Sequence, residues 1–384
     1  MSSAPPPGLR HLAVNAVFLQ PRMGGLETYV RQLLPAMLER QPDLRIAVFV
    51  TPAGRDALAT EPWADAVELV THRLLGVPYS KAVAELTLVG RLAAARGADV
   101  IHSVAMLGPI RPQIPSVVTV ADVTWLRQPE TVPQVTRILW RTLVPLGTRY
   151  ARRVIACTEV AATEVAEDLT IPRARIDVVP LGPGTLPSAE PRPGNELRAR
   201  FGLGDGPILL AVSALSAHKN VAVLVEAMPA LREAFPDVVL VVPGNPTPLG
   251  DGLADRAGAL GVSEAIVFPG WVDAAELEGL YRAASCFVLP SLREGFGMPL
   301  LEAMVRGVPI ACSNASALPE VGGDAVLYFA PDRPREVVDA VARILSDPQF
   351  ARELAERGRE RQRLFTWSKA AEKTLAVYER ARGT

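Results

Sequence analysis

Short apolar runs alternate with stretches of helical periodicity along the whole chain. Residues 11–19 form the first run and read as a strand. Gly24 and Gly25 then make a tight turn, after which Leu26, Val30, Leu33, Leu34, Met37 and Leu38 recur at helical spacing. Runs at 45–50, 100–102, 116–120, 154–157 and 178–179 continue a first strand series. Runs at 208–212, 238–242, 265–268, 286–289 and 309–311 make a second. Strands that alternate with helices predict βαβ units and parallel sheets. Between the series, residues 182–207 are dense in glycine and proline, which predicts a linker or hinge.

The pattern implies an α/β protein of two Rossmann-like domains with a cleft between them, and the length of 384 residues agrees with two domains. The composition, 49% hydrophobic and 21% charged, is that of a soluble globular chain with sizeable cores. A net charge of −1 gives no reason to expect nucleic acid as a partner. Residues 1–183 carry +3 and residues 184–384 carry −4, a weak pointer to an anionic surface or acceptor on the first half. Cys157, Cys286 and Cys312 are odd in number, far apart and set in apolar stretches, which predicts reduced, buried thiols and a cytoplasmic setting. The Pro-rich start, Met1 to Arg10, lacks the apolar core of a signal peptide, and no run of about 18 apolar residues predicts a membrane span. The glycines at 202, 204 and 206 resemble a dinucleotide fingerprint, but they precede a strand instead of following one and read as a linker turn. For the same reason a dehydrogenase is disfavoured.

The chemistry concentrates after the 286–289 strand. Gly295 and Gly297 allow the backbone to approach a ligand, and Pro299 suits the first turn of a helix, where its missing N–H costs nothing. The free N–H groups of that helix start favour an anion such as a diphosphate. Glu302 falls about one turn into the helix and Glu294 on the loop before it, so both carboxylates can face one ligand. The residues alone leave a second reading open: an ordinary strand–turn–helix connection with two solvated glutamates.

Glu294 and Glu302 form an E-x7-E pattern within "EGFGMPLLEAMVRGVPIACSNASALPEV". This segment resembles the donor-site signature of the family-four retaining glycosyltransferases, which have the GT-B fold. Gly295, Gly297, Pro299, Ala303, Gly307, Pro309, Pro319 and Glu320 match in register. "GGLETYVRQLL", "VIACTEVAATEV", "IDVVPLG", "HKN", "FPGWVDAAELEGLYRAA" and "FTWSKAAEKTL" extend the resemblance over most of the chain. It implies an acceptor-side domain of residues 1–183, joined by about 367–384 as the last helix crosses back, and a nucleotide-sugar domain of 184–366. It also implies the roles of single residues. Glu294 lies beside the transferred sugar, and Glu302 accepts hydrogen bonds from the ribose. Lys219 neutralises the diphosphate as a flexible point charge. Gly295, Phe296, Gly297, Met298, Leu300 and Ser213 line the donor, with Trp271 and Val272 near the base. Gly24, Gly25 and His102 belong to the acceptor side, where His102 is equally readable as a packed structural histidine.

The implied activity is transfer of a hexose such as mannose, glucose or rhamnose from a nucleoside diphosphate sugar, with retention. No cofactor or metal is implied, and no D-x-D sequence occurs. The acceptor would be a saccharide, a lipid-linked group or a small molecule. Surface polysaccharide or glycolipid synthesis is the first expectation and natural-product glycosylation the second. Two positions depart from the family. Ala214 stands where many relatives have arginine, which leaves the diphosphate to Lys219 and backbone N–H groups. Ala121 stands where many have histidine, so that Asp122 takes over a polar role or the site admits an unusual substrate. These departures keep a non-catalytic sugar-nucleotide-binding protein as an alternative from another class. Arg137, Arg141, Arg149, Arg152 and Arg153 accompany Trp140 and several leucines over 137–153. The stretch reads as a face for anionic lipid on the inner side of the membrane or as a partly buried helix with a solvated basic side.

Overall fold

A computed structural model describes residues 8–20, 23–75, 78–131, 134–184, 190–245 and 247–383. The chain divides into two compact units, Met1–Gly182 with Thr366–Thr384, and Pro183–Phe365. The expected Pro-rich start lies largely outside the described residues, as do 185–189 of the Gly/Pro-rich stretch.

The strands of the first unit are β1 (His11–Asn15), β2 (Arg45–Phe49), β3 (Glu68–Val70), β4 (Val100–Ser103), β5 (Ser116–Thr119), β6 (Arg153–Ala156) and β7 (Ile176–Val178). They pair in parallel in the order β3-β2-β1-β4-β5-β6-β7. The first strand is shorter than its apolar run implies. Leu19 N bonds Ala16 O at 3.0 Å in a turn, yet Ala16, Val17 and Leu19 stay buried. Their apolar character therefore reports burial and not strand.

The second unit holds β8 (Ile208–Leu210), β9 (Val239–Pro243), β10 (Ile266–Gly270), β11 (Cys286–Leu289), β12 (Ile310–Ser313) and β13 (Leu327–Phe329). Their order is β10-β9-β8-β11-β12-β13, again all parallel. Strands such as Val239–Pro243 are buried throughout, as expected when helices cover both faces of a sheet. The stretch read as linker contains a helix, Gly194–Phe201. Pro193 precedes it, Leu197 packs it down, and Gly202 closes it at φ 66°.

The last helix, Trp367–Arg382, is part of the first unit. Thr366 caps it by accepting from Lys369 N at 3.2 Å. Trp367 packs on Tyr29, with ring centroids 6.0 Å apart. Arg40 reaches Ser368 Oγ at 2.9 Å, and Arg380 reaches Asp177 at 2.9 Å.

Candidate functional site

In an open parallel sheet the ligand crevice lies beyond the carboxyl ends of the strands, where the strand order reverses. In the second unit that point falls between β8 and β11. Both strands lead into the residues singled out by the sequence.

After β8, the turn Ala217–Lys219 presents Lys219, whose Nζ donates to Glu294 Oε1 at 2.7 Å. After β11, Ser291 Oγ donates to the same oxygen at 2.8 Å. The backbone around Glu294 is held from two sides. Ser316 Oγ donates to Glu294 O at 2.9 Å, and Leu292 N donates to His218 O at 2.8 Å. Asn220, in the left-handed conformation that Asn tolerates, bonds Pro290 O at 3.1 Å and Pro331 O at 2.6 Å. The side chain of Glu294 is thus mostly enclosed, charge-paired and fixed in direction.

The helix Met298–Arg306 starts at Gly297, whose φ of 93° and ψ of 50° are available at low cost only without a Cβ. Pro299 sits in its first turn, as the spacing predicts. Glu302 is largely buried, and Tyr281 OH donates to its Oε2 at 2.8 Å. A Cβ placed on Gly184 would collide with Glu302 Oε1, so glycine there leaves room for the carboxylate. Burial above all, then the charge of Glu302, pushes the Tyr281 phenol well above its ordinary value and keeps it a donor.

The remaining second-unit positions differ in what their side chains can touch. Phe296 is buried with its ring edge-on to Phe365, and Leu300 is fully buried. Both act through backbone and packing. Gly295 is buried and Met298 half-buried. Ser213 lies past the end of β8, its hydroxyl donating to Ala214 O at 2.8 Å. Trp271 is 50% exposed and Val272 half-buried, directly after Gly270 at φ 73°. They follow β10, two strand spacings or roughly 10 Å from β8.

In the first unit Gly24 and Gly25 are exposed at the start of the helix Gly25–Arg40. Gly24 has φ 69° and ψ −130°, a conformation that side chains oppose. Asp122 Oδ1 accepts from Thr124 N at 2.8 Å and shapes the turn after β5. His102 is fully buried in β4. Its Nδ1 lies 2.7 Å from Tyr378 OH and its Nε2 2.8 Å from Thr119 Oγ1. Burial pushes its pKa down to about 3, so the ring ties the last helix to the sheet as a neutral imidazole.

Sequence reasoning did not single out Tyr281, Ser291, Asn220, Ser316, Arg306 or Gly184. Only Asn220, beside Lys219, had a signal in its αL tolerance. It also missed a buried group at the switch point of the first sheet, where Asn15 Nδ2 bonds Ser103 Oγ at 3.2 Å and Glu85 Oε2 at 3.3 Å. The three thiols are buried, and burial pushes Cys157 and Cys286 up to about 12. Among the described residues no three His, Cys, Asp or Glu side chains gather where they could hold a metal ion. Among them, too, no helix is long and apolar enough to cross a membrane.

Comparison with known proteins adds the family. The model for glycosyl transferases group 1 matches residues 195–361, and that for glycosyltransferase family 4 matches residues 23–183. The chain is 31% identical to the MMP alpha-(1->4)-mannosyltransferase of Mycolicibacterium hassiacum, over 94% of this chain and 89% of that protein. It is 33% identical to a D-inositol 3-phosphate glycosyltransferase of Actinosynnema mirum over 60% of this chain and 58% of the relative. The solved structure of Anabaena HepE in complex with UDP and glucose superposes with a TM-score of 0.74 at 18% identity, covering 95% of this chain and 98% of that one. The fold is that of the GT-B glycosyltransferases, and the chain belongs to the family-four, group 1, glycosyltransferases.

Proposed function

We propose that the chain is a retaining hexosyltransferase that moves a hexose, mannose first among candidates, from a nucleoside diphosphate sugar to a hydroxyl acceptor without a metal ion. The observation that carries this reading is the joining of Lys219 and Glu294 beyond β8 and β11, with Glu302 on the following helix. As the sugar leaves, positive charge develops on its ring and negative charge on the diphosphate. Preorganised groups that meet such developing charge contribute more to catalysis than any other single effect. Lys219 and the N–H groups at the start of Met298–Arg306 suit the diphosphate, Glu294 the sugar, and Glu302 the ribose. The bond from the anomeric carbon to the phosphate oxygen breaks with its electron pair going to the diphosphate, and a bond to the acceptor oxygen forms. The acceptor's proton can pass to the departing diphosphate. Mannose is supported by the names of relatives, among them the mannosyltransferase above and the GDP-mannose-dependent phosphatidylinositol monomannoside mannosyltransferase of Mycolicibacterium smegmatis. The acceptor is a saccharide or lipid-linked saccharide, in surface polysaccharide or glycolipid synthesis. Gly24, Gly25 and Asp122 belong to its side of the reaction.

The test is incubation of the purified chain with GDP-mannose, UDP-glucose and dTDP-rhamnose, a panel of acceptors, and EDTA. A glycoside of retained anomeric configuration by NMR, absent with Glu294→Ala, is expected. Inversion, or activity lost to EDTA, would overturn the corresponding part.

A peripheral contact with anionic lipid is part of the reading. The helix Gln134–Tyr150 has no acidic residue and carries Arg137, Arg141 and Arg149. On its solvent side Val135, Ile138 and Leu139 are 80%, 58% and 43% exposed. An apolar stripe beside arginines fits the boundary of an anionic membrane. Flotation with phosphatidylglycerol vesicles at low salt is expected, and its loss in Val135→Asp/Ile138→Asp; no flotation of the native chain would refute the contact.

A further inference from the structure

Glu302 does not stand alone. Tyr281, on the helix Ala274–Ala283, is fully buried and stacks on Phe287 of β11, with centroids 5.7 Å apart and planes 27° from parallel. Over the Tyr281 ring, at 4.6 Å from its centroid, lies the guanidinium of Arg306. Arg306 donates to Glu302 O at 3.0 Å and pairs with Glu278 at 2.7 Å, and both of these charged side chains are almost fully enclosed. Apolar residues of similar volume would fill this space at equal or lower cost, because desolvating two charges offsets most of their attraction. The arrangement is therefore poorly explained by stability and well explained by direction. Oε2 of Glu302 is held by the phenol, while Oε1 lies against Gly184, where a methyl group would displace it.

We infer that Tyr281, braced by the Arg306–Glu278 pair, is a positioning residue that presets Glu302 for the two ribose hydroxyls. The inference rests on the reading that Glu302 faces the ribose. A carboxylate accepts at both oxygens and donates at neither. With its orientation set in advance, it loses no freedom when the nucleotide arrives, and each hydroxyl donates into a lone pair already aimed at it. Removing the 2′-hydroxyl leaves one such lone pair unmatched, a larger loss for a fixed carboxylate than for one that can turn to water.

The experiment is calorimetric titration of the full chain with GDP and 2′-deoxy-GDP, and with UDP and 2′-deoxy-UDP. The native chain should prefer the ribose form of its nucleotide by about tenfold or more, the worth of one hydrogen bond to a charged group. Glu302→Gln should remove most of that preference. Tyr281→Phe, which keeps ring and stacking, should cut it at least threefold while binding of the deoxy form changes less than about twofold. A native preference that Glu302→Gln removes and Tyr281→Phe leaves untouched would overturn the positioning inference and spare the ribose reading. No preference in the native chain would overturn the ribose reading itself. Should Tyr281→Phe fail to fold, Arg306→Lys keeps the charge but removes the planar guanidinium over the Tyr281 ring, and an unchanged ratio there would overturn the inference.

Discussion

Replacing Lys219 by methionine keeps the stem and removes the charge. Nζ lies 2.7 Å from Glu294 Oε1, and the Lys219 side chain is 21% exposed against 10% for Glu294. At about 4 Å and an effective dielectric of about 20, one ammonium and one phosphate charge attract by about 4 kcal/mol. Part of this is offset, because the ammonium must share or leave Glu294 to meet a phosphate. A net loss of about 2 kcal/mol remains, in line with a charge-assisted hydrogen bond, and equals roughly 30-fold in affinity. Calorimetry with a nucleoside diphosphate and its parent nucleoside separates this from a general effect. The diphosphate should lose about 30-fold and the nucleoside less than about threefold. Equal losses for both ligands, or none for either, would sink the assignment of Lys219 to the diphosphate. The variant should also lose about 1 kcal/mol of stability, since Glu294 keeps Ser291 but not its counter-charge.

Two further outcomes concern the first unit. Tyr378→Phe strips the buried His102 Nδ1 of its 2.7 Å partner and should cost about 1–3 kcal/mol, read as an earlier melting transition; an unchanged melt would show the tie to be idle. Burial, opposed by Lys81 and Asn15, pushes the Glu85 carboxyl from 4.5 up to about 7. Folding therefore favours its protonated form, and stability should fall as pH rises from about 4.5 to about 7, by on the order of 3 kcal/mol, then level off. Glu85→Gln should flatten that part of a denaturant-midpoint profile, and an unchanged slope would assign it to other groups.

Local rules made the second-unit site partly legible. An apolar run, two glycines and a proline are enough to predict strand, turn and helix start, and with them the place of Glu294 and Glu302. The edge strands Glu68–Val70 and Leu327–Phe329 escaped, because three residues cannot establish a period of two. Lys219 came from family resemblance alone: it meets Glu294 across 75 positions, through two strands that become neighbours only in the sheet. Tyr281 and Arg306 depend on how one helix packs on another, which no spacing within either helix reveals. His102 shows the reverse problem. A histidine ending an apolar run looks the same in sequence whether it faces a crevice or a tyrosine 276 positions away.

Thermal shift of the native chain with UDP, GDP, ADP and dTDP, in EDTA and again with magnesium, bears most directly on the nucleotide-sugar assignment. A ligand at about 100 times its dissociation constant adds roughly 2.7 kcal/mol of stability, enough for a clear shift. One ribonucleoside diphosphate should stabilise the protein without metal and more than dTDP does, and Glu302→Gln should weaken the effect. No shift with any of the four, or a shift that appears only with magnesium, would contradict a metal-independent donor site at the ends of β8 and β11.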